Sequence, residues 1–273
     1  KGGLLSLTAD WFNKVTDDIL YQIPVPASVG LSAPTVNYGK MKNTGWEFEI
    51  GHRNNIGELS YSVNFNLSTY KNEVLRVKSP SYGNRIIKEG LPFNQYYLIE
   101  MQGIFQSQDE IDKAPKHPYN PKPGDLRFRD ANGDGVIDSK DRVVVEGAYP
   151  KYYYGGSLNL SWKSFDFTAF FQGIEGIKFY YGGMHMAWGF TPFAQGSSPT
   201  LDFINKMWKP DRPSNTTPAM FEQGYKPNNG TPNTYWLFDA SYLRLKNVML
   251  AYRLPASLIH PIGLKGLQAY VSG

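Results

Sequence analysis

Residues 130–141 read Asp-Ala-Asn-Gly-Asp-Gly-Val-Ile-Asp-Ser-Lys-Asp, and their spacing specifies one kind of chemistry. With Asp130 as position 1, side-chain oxygens fall at positions 1, 3, 5, 9 and 12, on Asp130, Asn132, Asp134, Asp138 and Asp141. Gly135 holds position 6 and Val136 position 7. A hard divalent cation takes about six to eight oxygens, and a chain encircles it by turning sharply at a glycine and offering the next backbone carbonyl. The expected ion is calcium in a structural role, held by those five side chains and the Val136 carbonyl. Position 12 is Asp141 rather than Glu, so its shorter arm would ligate with one oxygen or through water.

The flanks decide what sort of loop this is. An EF-hand needs a helix on each side, but residues 125–129 (Asp-Leu-Arg-Phe-Arg) alternate and residues 142–145 (Arg-Val-Val-Val) are β-branched, so strands are expected on both sides. The metal-free alternative is an Asx and glycine turn, since Asn-Gly and Asp-Gly are themselves turn dipeptides.

Aromatic side chains form the second candidate set. Trp188, Phe190, Trp208, Tyr235 and Trp236 lie in segments crowded with Gly, Pro and Asn, where exposed rings could stack on sugars or pack against peptides. The competing role is packing the loops together or girdling a barrel at the lipid headgroups. His52, His117, His185 and His260 are scattered, so neither a zinc set nor a catalytic triad is supported. No Gly-rich phosphate loop and no second carboxylate pair stands out, so no catalytic residue is assigned and an enzyme is not expected.

The elements that position these residues read as strands. Leu5, Leu7, Ala9 and Trp11 alternate with polar neighbours, as do Trp46, Phe48 and Ile50. The clearest alternation sets Leu59, Tyr61, Val63, Phe65 and Leu67 against Ser60, Ser62, Asn64, Asn66 and Ser68. Leu158, Leu160 and Trp162 form a further strand; after a tight turn at Lys163-Ser164, Phe165, Phe167, Ala169 and Phe171 form the next. Residues 242–254 return as a strand whose apolar phase shifts, predicting a bulge near Asn247, and Leu267, Ala269 and Val271 give the seventh. Such faces suit either a soluble sandwich, with the apolar side as core, or an outer-membrane barrel, with the apolar side toward lipid and Asn64, Asn66, Asn159 and Asp166 toward the lumen.

Connection lengths separate the two. Short links fall around Asn54, Lys163 and Pro261, whereas long ones fill residues 16–43, 72–150 and 173–240. Short and long alternate strictly, which describes part of an antiparallel up-and-down barrel and places residues 73–150, calcium loop included, and 174–240 on one side as long insertions. An odd number of strands cannot close a single-chain bacterial barrel, so further strands are expected from outside the chain.

Composition agrees. The 273 residues are 15% aromatic and 41% hydrophobic, with no apolar run long enough for a membrane helix. The absence of Cys excludes disulfides, and a net charge of +4 spread along the chain does not imply nucleic acid. Lys1 is preceded by neither Met nor a signal peptide, and a strand-like segment runs up to Gly273, so the chain is expected to be a piece of something longer.

Five blocks in order carry a resemblance. They are Asn-Tyr-Gly-Lys-Met-Lys-Asn-Thr-Gly-Trp-Glu-Phe at 37–48; Gly-Ile-Phe at 103–105 with Glu110-Ile111; Pro-Gly-Asp at 123–125 running into 130–141; Trp-Lys-Ser-Phe-Asp at 162–166 with Phe171-Gln172-Gly173; and Ser-Tyr-Leu-Arg-Leu-Lys-Asn-Val at 241–248. Over nearly its whole length the chain resembles the carboxy-terminal barrel region of the SusC/RagA family of TonB-dependent outer-membrane transporters. The resemblance implies a transmembrane barrel of about 22 strands with an amino-terminal plug. It implies import of oligosaccharides or peptides across the bacterial outer membrane, with energy from TonB reaching it through the missing amino-terminal part. It also implies a SusD/RagB-like surface lipoprotein as partner. The alternative is a secreted β-rich calcium-dependent carbohydrate-binding module or glycanase domain, with the face of Leu59 to Leu67 buried inside.

Overall fold

The computed structural model describes residues 4–22, 30, 32, 34–78, 81–117, 119–181, 199–220 and 227–273. Its strands in chain order are β1 (Leu4–Gln22), β2 (Thr35–Ile56), β3 (Leu59–Thr69), β4 (Lys71–Arg76), β5 (Ser81–Tyr82), β6 (Arg85–Ile86), β7 (Gln95–Ile99) and β8 (Met101–Ile104). They continue with β9 (Leu126–Phe128), β10 (Arg142–Val145), β11 (Tyr152–Trp162), β12 (Phe165–Glu175), β13 (Lys178–Tyr180), β14 (Leu237–Asp239), β15 (Tyr242–Arg253) and β16 (Gln268–Ser272).

The seven strands expected from alternation form one antiparallel sheet in the order β1-β2-β3-β11-β12-β15-β16. Each strand pairs with the one before it along this path, as in an up-and-down meander, and the short turns fall at Gly57-Glu58 and Lys163-Ser164. Gly57 and Lys163 take left-handed φ of 60° and 55° there, which a two-residue hairpin with the twist of its strands demands. Between β12 and β15, Phe170 faces Asn247 and Phe171 faces Leu245, so Lys246 is the extra residue of the expected bulge.

Register assembles the faces that period 2 began. Ile50 pairs with Phe65, Val63 with Leu158, Leu160 with Phe167, Phe167 with Leu250 and Leu250 with Val271, giving one continuous apolar face. That face is open: Leu7 is 71% exposed, Ile50 45% and Phe65 43%. On the opposite face Asn64 Nδ2 donates to Ser157 Oγ at 3.4 Å, and Ser161 Oγ donates to Asp166 Oδ1 at 2.6 Å, with Arg253 Nε 3.1 Å from the other carboxylate oxygen. A soluble sandwich would have buried Leu59 to Leu67; instead Val63 and Phe65 are exposed.

One expectation is corrected. Residues 16–43 do not form a loop throughout, because β1 and β2 run on to Gln22 and from Thr35. Pairing of Leu20 with Asn37 and Gln22 with Thr35 satisfies the backbone, and a register shift between Thr16 and Ile19 absorbs Asp17 and Asp18. Asp17 then reaches Lys40 Nζ at 2.7 Å and Arg76 at 2.9 Å, tying the hairpin to β4, which pairs with β2 and prolongs the sheet at the start of the long insertion.

The packed core lies in the insertions rather than under the sheet. Ile99, Ile104, Leu126, Phe128, Ile137 and Trp208 form one cluster, and Phe203 with Trp236 forms a second. Residues from 99–137 and 203–236 meet there, so the two longest connections fold against each other and hold the calcium-type loop between β9 and β10.

Candidate metal centre

Strands flank the loop as the sequence predicts, β9 ending at Phe128 and β10 starting at Arg142. Gly133 and Gly135 adopt φ of 76° and 79°, the left-handed conformation that lets the chain curl inward twice within three residues. Asp130 accepts N–H groups from Gly133 at 2.7 Å and Gly135 at 2.8 Å, one on each carboxylate oxygen. Those amides, Gly135 foremost, hold the Asp130 carboxyl below its usual range and keep it ionised. Asn132 Oδ1 accepts from Asp134 N at 2.9 Å, and Asp134 Oδ1 from Val136 N at 3.0 Å, two successive Asx turns.

Position 12 closes the ring. Asp141 is fully buried, its Oδ1 accepting from Ala131 N at 2.9 Å and its Oδ2 from Asp138 N at 2.7 Å. Asp138 caps the short 3₁₀ turn Ser139–Asp141 by accepting from Lys140 N at 2.6 Å. Outside the loop, Lys116 N donates to Gly135 O at 2.8 Å and Ile137 N to Lys116 O at 2.9 Å. Ile137 is buried and anchors the loop to the core, while Val136 between them turns its amide toward Asp134.

The donor set fits a hard cation in type. Each carboxylate oxygen has two lone pairs, so Asp130 and Asp141 keep acceptor capacity after taking their amides. Asn132 and Asp134 are exposed, and Asp130 and Asp138 half-buried. Among the described residues no three His, Asp or Glu side chains stand grouped as a ready metal cage.

The aromatic candidates divide differently from expectation. Trp208 is buried in the larger cluster, its Nε1 donating to Gln106 Oε1 at 2.9 Å. Trp236 is 1% exposed and donates Nε1–H to Asn229 O at 2.8 Å. Tyr235 packs edge-on against it, ring centroids 4.9 Å apart, and burial pushes its hydroxyl up to about 12. Trp208 and Trp236 are corrected from exposed stacking platforms to packing residues, because an indole buries a large area once its N–H finds a partner, whereas Tyr235 is half-buried beside Trp236. Trp188 and Phe190 lie outside the described residues.

Two features were missed. Asn228 and Asn229 are fully buried and grip Leu126 through Nδ2→O at 3.1 Å and N→Oδ1 at 2.9 Å, stapling the second insertion to the strand that leads into the loop. Their Pro-Asn-Asn-Gly context reads only as turn composition. His117 is also buried, lying between Phe105 and Phe128 with centroids 5.3 Å and 5.8 Å away, and its Nδ1 meets Pro115 O at 2.9 Å.

Comparison with known proteins bears out the resemblance read from the five blocks. The chain is 28% identical over 277 residues to TonB-dependent receptor P26 of Formosa agariphila, an alignment spanning 97% of this chain and 27% of that protein. It is 24% identical over 248 residues to the TonB-dependent receptor SusC of Bacteroides thetaiotaomicron, spanning 89% of this chain and 24% of that one. Among solved structures, the RagAB peptide transporter superposes with a TM-score of 0.74 at 22% identity, covering 98% of this chain and 29% of that one. No protein-family model matches the chain. The chain thus spans about a quarter of the curated relatives' length, and its antiparallel sheet is a segment of the transporter fold.

Proposed function

We propose that the chain is the carboxy-terminal barrel region of a TonB-dependent importer in the bacterial outer membrane, taking up oligosaccharides or peptides. The observation that carries this reading is the open apolar face. From Tyr152 to Trp162 on β11, where Tyr154, Gly156, Leu158 and Leu160 share the face, ten residues of extended chain span about 33 Å, or about 25 Å once the strand tilts as barrel strands do. That equals the apolar band such barrels present to lipid. Trp11 and Trp46 pair at one end of it, and Trp162, Phe165 and Tyr252 meet at the other. Two aromatic rows so spaced suit the two headgroup levels.

The rest follows from the same placement. The two insertions lie on the long-connection side and face the cell exterior. They shape the mouth for substrate and for a SusD/RagB-like lipoprotein, and Trp188 and Phe190 remain the aromatic candidates for substrate contact. TonB acts through the amino-terminal part outside this chain. Calcium at Asp130, Asn132, Asp134, Asp138, Asp141 and the Val136 carbonyl is structural, holding backbone between β9 and β10 that has little core of its own.

Heating before electrophoresis tests the reading. The full-length parent, extracted from membranes with detergent, runs as a compact band unheated and shifts after boiling. A parent found in the soluble fraction with no shift overturns it in favour of a secreted module.

A further inference from the structure

A cleft of about 500 Å³ opens in the first insertion between the β8–β9 pair and the short helix α1 (Gln108–Lys113), and no role above uses it. Leu126 and Phe128 turn into the larger core cluster, so alternation along β9 sends Arg127 and Arg129 to the other side of the pair. Arg127 pairs with Gly103 on β8, which has no side chain to cover it; a Cβ placed there would meet Arg127 Nη2 at 3.6 Å. Gln102, the extra residue at the register shift beside it, also lines the cleft.

The cations here are poorly matched by carboxylates. Arg129 is taken by Glu100 at 2.8 Å, but Arg127 Nη1 stands 4.0 Å from Glu110 Oε2, and that oxygen already accepts Gln106 N at 3.0 Å. Lys113, one turn along α1 from Glu110, is exposed and pairs with no carboxylate among the described residues. Asp130 lines the cleft too, yet each of its oxygens takes an amide of its own loop. The Arg127 side chain is 39% exposed, so a solute in the cleft reaches it. A guanidinium takes a carboxylate through two parallel N–H bonds, and an ammonium adds a point charge.

We propose that this cleft binds a carboxylate carried by an incoming solute, on a uronate sugar or an acidic peptide residue. Arg127 takes the carboxylate through its paired N–H groups, Lys113 adds its charge, and Gln102 bonds a neighbouring hydroxyl or amide. Ala114 and Pro115 give the carbon skeleton an apolar side to rest on. A neutral solute would leave both cations unanswered. The inference rests on the import reading and deepens it, naming the class of solute that the first insertion selects.

Titration calorimetry of the intact parent protein in detergent tests it with trigalacturonate and with triglutamate, each against its uncharged counterpart, the methyl ester of the first and triglutamine for the second. The expected result is binding of an acid and much weaker binding of its counterpart. Arg127→Gln should lower the affinity for the acid about tenfold, and the exposed Lys113→Gln several-fold. Preference for trigalacturonate assigns a sugar source, preference for triglutamate a peptide source, and equal binding assigns recognition to the carboxylate alone. Failure of both acids to bind overturns the site. So does an affinity unchanged in Lys113→Gln, whatever Arg127→Gln does, because that side chain holds no other residue in place. A parent that shows the heat-dependent shift yet binds neither acid contradicts this cleft alone, whereas a soluble parent without the shift contradicts the importer reading.

Discussion

Asp141 Oδ1 accepts the amide of Ala131 at 2.9 Å, so the last residue of the candidate loop clasps the second across ten positions of sequence. Its other oxygen takes the amide of Asp138. Because Asp141 is fully buried, water cannot replace it. Asp141→Ala therefore leaves those amides without acceptors, at about 1–3 kcal/mol each. Hydrogen exchange should report the loss as faster opening of residues 126–145 in the variant. Unchanged protection there would show that the clasp is not what holds the loop.

Calcium should add to the same order. When the free ion greatly exceeds its dissociation constant, binding to the folded loop stabilises it by roughly 3–4 kcal/mol. The double variant Asp130→Ala, Asp134→Ala is expected to abolish calcium binding in titration calorimetry and loosen the insertion, while the heat-dependent shift of the parent barrel stays intact. Equal binding by native and variant protein would place the ion elsewhere, and no binding by native protein at millimolar calcium would leave the loop an Asx and glycine turn.

Acid should weaken the insertion through His117. Burial lowers its pKa from 6.5, with the Pro115 carbonyl and Asp125 opposing. The neutral ring is the folded form, so its contribution is complete above 6.5 and is lost as pH falls through 6.5 toward the depressed folded value. Hydrogen exchange corrected for intrinsic rates, compared at about pH 7.5 and about pH 5.5, should show protection of residues 95–137 falling in the native chain and less so in His117→Phe. The same fall in both would assign it to other groups.

Trp236→Ala should cost about 3–5 kcal/mol through a large buried cavity. Trp236→Phe should cost less, keeping most of the apolar contact and losing the bond to Asn229 O. The expected readout is proteolysis within the second insertion of the alanine variant. Weaker substrate binding with the insertion still resistant would return Trp236 to the list of substrate contacts.

The sheet was legible because its code is local. Period-2 alternation marked the seven strands, and the phase slip after Leu245 marked the bulge, since each depends on neighbours a few positions apart. The turns of the loop were legible for the same reason, its Asx bonds and left-handed glycines lying within a few positions of one another. What was not legible depends on distant partners. Nothing near Trp208 in sequence announces Gln106, and nothing near Asn229 announces Leu126, more than a hundred residues away in each case. The outer parts of β1 and β2 were missed because Pro and Gly nearby signal a loop, whereas the pairing and the Asp17 to Lys40 bridge that extend the hairpin come from the opposite strand.

The central claim is that the face of Phe65 meets lipid and the face of Asn64 meets water. The chain has no Cys, so single cysteines in it report without interference from its own sequence. The parent protein, cleared of cysteines elsewhere, would carry a nitroxide at Phe65→Cys or at Asn64→Cys in liposomes. The account predicts that the label at 65 is relaxed mainly by oxygen, which dissolves in the bilayer, and the label at 64 mainly by a water-soluble nickel chelate. Equal access of the nickel chelate to both sites would contradict it.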